Sequence, residues 1–225
     1  MHENIPTGGY TAIIAGATGL TGSKLLDRLL EDVRYTQVIA LSLRPLEKVH
    51  PKLRVIITDG THLQEVSQEL KGQHVYCCLG TTMKQAGSKA AFEAVDLEYP
   101  TLLARLCLEQ GAEHFLHISA IGATSHSLVY YSRIKGVCED QLSQMNYPKM
   151  SIFRPSILDG ERKERRAGEH IALIITRIIN PLLIGSLHYY RSSKVDVLAE
   201  AMHRAAFREE PGFRLYPGPF QKAEL

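Results

Sequence analysis

The sequence predicts an α/β fold, a doubly wound parallel sheet, on three observations. Short apolar runs alternate with helix-length amphipathic segments, which is the pattern of βαβ units. The first run passes straight through a glycine-rich turn into a helix. The chain has 225 residues, 44% of them hydrophobic and 22% charged. That is enough for one sizeable core and short for two complete domains, so residues 1–225 are expected to form a single domain.

Thr11–Ala15 reads as the first buried strand, and a helix from Gly22 to Glu31 sets Leu25, Leu26, Leu29 and Leu30 on one side. Val38–Leu43 and Leu53–Thr58 read as strands two and three, with a short helix over residues 61–71. Val75–Leu79 reads as strand four, and Phe92–Gln110 as a long helix that stops at Gly111. His114–Ser119 is strand five, Tyr130–Asn146 a helix and Met150–Arg154 strand six. Val195–Phe207 is a late amphipathic helix and Phe213–Tyr216 a last short strand. No internal repeat or low-complexity segment interrupts this order.

The apolar share and the lack of heptads exclude disorder and coiled coil. A formal charge of +2 argues against a dedicated nucleic-acid partner, which needs a basic patch. Cys77, Cys78, Cys107 and Cys138 have neither disulfide-framework nor zinc spacing, and read as reduced core thiols. The first nine residues show no secretory h-region. The apolar stretch Ile171–Leu187 is broken by Arg177, Asn180 and Pro181, too short and interrupted to span a bilayer. A soluble, cytoplasmic protein is expected.

Gly16-Ala17-Thr18-Gly19-Leu20-Thr21-Gly22 places three glycines at three-residue spacing between strand and helix. One permits the tight turn, one lets backbone approach a pyrophosphate, and one lets the helix pack on the sheet. The phosphates then meet the positive end of the helix. An acidic residue ending strand two would select NAD through its ribose hydroxyl. Here Ser42-Leu43-Arg44-Pro45 stands instead, and the Arg44 fork suits the 2′-phosphate of NADP. NADP (NADPH) is therefore expected over NAD, although Pro45 gives no second basic residue. Asp59 either touches the adenine edge or caps the next helix. Leu79, Gly80 and Thr81 end strand four, where the small Gly80 lets a cofactor lie against the loop.

Tyr131 and Lys135 stand four apart, on one face of a helix. An ammonium beside a phenol stabilises the phenolate and brings the group into general acid/base range. Tyr130 is out of register with Lys135. Ser119, ending strand five, is placed to orient a carbonyl oxygen, with Ser125, Ser127 and Ser132 as competitors. His114 and His117, on a strand, read as structural.

Together GATGLTG, CCLGTT, the strand-five serine and YSRIK resemble the atypical short-chain dehydrogenases/reductases. CCLGTTMKQAGS, FRPSILDGERKERRAGE and the YxxxKG segment resemble most closely the branch containing the HIV Tat-interacting protein. The resemblance implies NADPH contacts at the glycine turn, Arg44, Leu79-Gly80, Tyr131 and Lys135, and from Leu158 and Arg166. It also implies a substrate-side insertion at about 160–194. Asp96 stands where many relatives have asparagine, which puts a water relay there in doubt. The expected activity is hydride transfer between NADPH and a small carbonyl or alcohol, with Tyr131, Lys135 and Ser119 as catalytic residues. The alternative is a non-catalytic NADPH-sensing regulator that meets a protein partner, or a second copy, through Ile171–Leu187.

Overall fold

The computed structural model describes residues 8–159 and 191–221. Seven parallel strands form one sheet in the order β3-β2-β1-β4-β5-β6-β9. They are β1 (Tyr10–Ala15), β2 (Tyr35–Ser42), β3 (Leu53–Ile57), β4 (His74–Cys77), β5 (His114–Ile118), β6 (Lys149–Arg154) and β9 (Gly212–Pro217). The short pair β7 (Leu158–Asp159) and β8 (Ser193–Lys194) stands apart.

Strand alternation sorts the core into two layers. Ala12 and Ile14 pack with Leu25 and Leu29 of α1 (Leu20–Glu31) and with Leu198 and Met202 of the late helix (Val195–Ala205). Ile13 and Ala15 face the other layer, with Leu103, Leu106 and Cys107 on one helix and Cys138 and Leu142 on another. Helices on both faces of a parallel sheet make it doubly wound. The strand order reverses between β1 and β4, so a crevice opens at their carboxyl ends.

Two expected elements differ. Residues 61–71 do not form a helix: they run through turns and one 3-10 turn (Ser67–Glu69). Glu65, Ser67, Glu69 and Leu70 each donate to the carbonyl three residues back. Leu63 and Leu70 are still buried, because this tighter winding also returns apolar residues to the sheet.

The long helix is composite. After the short α2 (Met83–Ala86), which the sequence reading did not anticipate, come α3 (Lys89–Glu93), a π-turn (Ala94–Glu98) and α4 (Tyr99–Glu109) in one run. Pro100, with no N–H to give, opens α4. Just before it Tyr99 donates to the Ala94 carbonyl, five residues back, which widens the helix there. The remaining helices are α5 (Tyr130–Ser143) and α6 (Val195–Ala205). Among the described residues no helix is long and apolar enough to cross a membrane.

Candidate functional site

The glycine turn is built by backbone contact. Gly16 has φ +85°, and a Cβ there would lie 2.8 Å from the Cys78 carbonyl group at the end of β4. A Cβ on Gly22 would lie 2.1 Å from the Gly16 carbonyl oxygen. Packing therefore demands glycine at both positions. Gly19 is different: its Cβ would meet only that same oxygen, at 3.3 Å. Glycine at 19 leaves room for a ligand that approaches the backbone, and the protein's own packing does not ask for it.

Gly19 caps α1 with no side-chain hydrogen bond, and no acidic residue occupies the first turn. The helix thus presents its N–H groups and its positive end to the crevice. Thr18 is exposed and Leu20 half-buried beside it, while Thr21 is buried with its Oγ1 unpartnered among the described residues. These features fit a pyrophosphate.

Arg44 is exposed beyond β2. Near it Leu43, Ile57, Thr58, Asp59 and His62 line a depression of about 200 Å³. The Asp59 carboxylate accepts hydrogen bonds from the backbone N–H groups of Thr61 and His62 and from both their side chains. The Thr61 and His62 bonds hold its carboxyl below the usual carboxylate range. Asp59 therefore caps a turn, and it also borders the depression.

At the sheet's centre, the π-turn carries Asp96 into the interior. Lys135 Nζ lies 2.7 Å from Asp96 Oδ1, with both side chains buried. Asp96 Oδ2 accepts from the Thr81 backbone at 2.9 Å, and Lys135 also donates to the Ile118 carbonyl at 3.4 Å. Burial pulls the Lys135 ammonium down, but the charges of Asp96 and Tyr131 and the bond to Asp96 outweigh it, leaving it above the usual lysine value. Removing one partner of such a buried pair costs about 3–5 kcal/mol. A Cβ on Gly80 would lie 3.6 Å from both Asp96 Oδ1 and Lys135 Nζ, so the strand-four glycine borders the pair.

Tyr131 is half-buried, its ring 5.5 Å from that of Phe92. Tyr130 points elsewhere, its hydroxyl on the Glu93 carboxylate. Ser119 donates its backbone N–H to Phe153, and its buried Oγ has no partner among the described residues. Of its competitors, Ser127 is engaged by the Val129 N–H. A Cβ on Gly136 would lie 2.1 Å from the Thr124 carbonyl carbon. That glycine lets the loop after β5 close on α5, a role the sequence reading missed.

His114 bonds Ser151 and the Ala206 carbonyl, and His117 lies 3.8 Å from Cys138 Sγ. Both are buried in the core. Leu158 pairs with Ser193 at the end of the chain segment after β6. Arg166, Ile171–Leu187 and nearly all of the 160–194 insertion lie outside the described residues.

A parallel sheet in this strand order, with a glycine turn after β1 and a tyrosine–lysine helix face at the same end, defines an NAD(P)-binding Rossmann fold. The chain belongs to the NAD dependent epimerase/dehydratase family, whose profile matches residues 12–191.

Among its relatives, the rat protein HTATIP2 is 31% identical over 176 residues, covering 76% of this chain and 72% of that protein. This agrees with the branch that the motifs resemble. The mitochondrial protein FMP52 of Coccidioides immitis is 32% identical over 180 residues, covering 73% and 72%. Among solved structures, the UDP-glucose 4-epimerase of Thermotoga maritima superposes with TM-score 0.70 at 16% identity, covering 93% of this chain and 77% of that one. The oxidoreductase ylbE of Lactococcus lactis superposes with TM-score 0.66 at 17% identity, covering 95% and 94%. At these identities the structural likeness shows the fold.

Proposed function

We propose that this protein is an NADP(H)-dependent oxidoreductase of the atypical short-chain dehydrogenase/reductase type, acting on a small carbonyl or alcohol. The observation that supports it most is a continuous line of contacts. Gly16 abuts the Cys78 carbonyl, Gly80 follows two residues on, and Lys135 lies against Gly80. The glycine turn and the α5 tyrosine–lysine face thus share one crevice.

In this reading Gly16, Thr18, Gly19, Leu20, Thr21 and Gly22 hold the pyrophosphate. Arg44 takes the 2′-phosphate, and Leu79, Gly80, Thr81 and Leu158 line the nicotinamide half. NADPH bound there supplies a hydride to the carbonyl carbon. Tyr131 donates its hydroxyl proton to the carbonyl oxygen and recovers it from water. Lys135 holds a positive charge near the phenol, and the unpartnered Ser119 hydroxyl orients the oxygen. A cytoplasmic location suits the four free cysteines; cell fractionation tests it against the mitochondrial location in the fungal relatives' names.

The test is consumption of NADPH by the purified protein across a panel of aldehydes and ketones. Turnover that disappears in Tyr131→Phe supports the reading. No turnover, together with no binding of NADPH or NADH, overturns it. The regulatory alternative rests on Ile171–Leu187, which lies outside the described residues.

A further inference from the structure

Asp96 belongs to none of the residues assigned above to cofactor or catalysis. It lies in the π-turn, fully buried, and its two oxygens have separate partners: Lys135 Nζ at 2.7 Å and the Thr81 backbone N–H at 2.9 Å. A buried amine loses its proton easily, since a low-dielectric interior penalises the ammonium. The chemistry assigned to the Tyr131–Lys135 pair nevertheless requires the ammonium.

The groups that act on Lys135 come from four elements. β4 contributes Cys77, β5 contributes His117 and the Ile118 carbonyl, α5 contributes Tyr131 and Cys138, and the π-turn contributes Asp96. Burial pushes both thiols up and His117 well down, so all three are uncharged near neutral pH. Among the described residues Asp96 is the only carboxylate paired with Lys135; Glu139, one turn along α5, pairs with Arg154.

We propose that Asp96 is a positioning residue, whose carboxylate keeps Lys135 an ammonium and ties it to the loop after β4. This rests on the oxidoreductase reading only for the use made of Lys135. The device depends on the local winding: Pro100 withholds an N–H, the helix widens through Ala94–Glu98, and Asp96 comes to face α5. An asparagine at 96 would keep an oxygen for Thr81 and supply no charge to the lysine.

The test follows the lysine itself, in the nucleotide-free full chain labelled with carbon-13 at lysine Cε. The Lys135 resonance is identified by its loss in Lys135→Arg. In the wild type its titration midpoint is expected above those of surface lysines. In Asp96→Asn it is expected to fall by about two pH units or more. Calorimetry with NADPH should then show Asp96→Asn losing affinity as pH rises through the new midpoint, while the wild type stays level over the same range.

A wild-type midpoint at or below the surface lysines overturns the proposal, and that measurement stands even if Asp96→Asn does not fold. An unchanged midpoint in the variant also overturns it. So does an affinity loss equal at every pH, which is what a purely structural role produces. A wild type that binds neither nucleotide overturns the oxidoreductase reading and the reaction role of Asp96 with it. The lysine midpoints would then still decide whether Asp96 holds the charge.

Discussion

A Cβ on Gly22 would lie 2.1 Å from the carbonyl oxygen of Gly16, so the first helix and the first turn touch through bare backbone. Gly22→Ala must move one of them. We expect it to lower stability by about 2–3 kcal/mol in denaturant unfolding. Gly19→Ala meets that oxygen only at 3.3 Å, and should stay within about 1 kcal/mol of wild type. It should instead weaken NADPH binding by roughly tenfold, because the added methyl occupies space reserved for phosphate. Equal stability losses in the two variants would contradict this division of roles.

Arg44 stands exposed beyond β2, and among the described residues its guanidinium has no hydrogen bond or ion pair. Stability gives no reason for it to be there, and a phosphate ligand does. Arg44→Ala should cost NADPH about 1.5–3 kcal/mol, roughly tenfold or more in Kd, by isothermal titration. NADH affinity and Tm should hardly move. A loss of the same size for both nucleotides would show that Arg44 does not read the 2′-phosphate.

The features legible in the sequence are those that local chemistry alone determines. The turn from Gly16 to Gly22 was readable because three separate constraints demand small residues at one spacing. The strands were readable from their apolar runs, and β9 forms as the expected last strand.

Asp96 was visible only as a replacement for asparagine. Its pairing depends on the widened turn, and helical periodicity cannot register a five-residue hydrogen bond. The signal available was Pro100 inside an otherwise continuous helical pattern. Residues 61–71 misled because Leu63 and Leu70 satisfy a helical spacing that successive tight turns also satisfy. In the sequence Gly136 is one residue of the YxxxKG segment, and its reason appears only when the loop at Thr124 is folded against it.

Tyr131→Phe isolates a hydroxyl. The ring lies tilted against Phe92, and phenylalanine keeps that packing, so stability should change by less than about 1 kcal/mol. NADPH affinity should stay within a few-fold, while kcat falls about 10²–10⁴-fold through loss of the proton donor. Tyr130→Phe is the control. It removes the bond to Glu93 and should leave kcat within a few-fold. If Tyr130→Phe is the inactive variant, the register argument for Tyr131 is wrong.

Acid should destabilise the fold through two buried histidines far from the candidate site. His74 bonds the Tyr35 hydroxyl at 2.7 Å, and His114 bonds Ser151 Oγ at 2.8 Å. Burial, with nearby cationic groups, lowers each from the usual 6.5 to about 3. Between those values the unfolded chain binds more protons than the folded one. Stability therefore rises with pH in that window and falls on acidification, by at most about 1.4 kcal/mol per pH unit for each histidine. Above the upper value both states are neutral at these positions and the slope vanishes. Urea unfolding at pH 7, 6, 5 and 4 measures it; burial holds His117 well below its usual value too, so His114→Gln should remove about a third of the slope below pH 6. A wild-type stability that stays level down to pH 4 would mean that these imidazoles already carry their protons in the folded core.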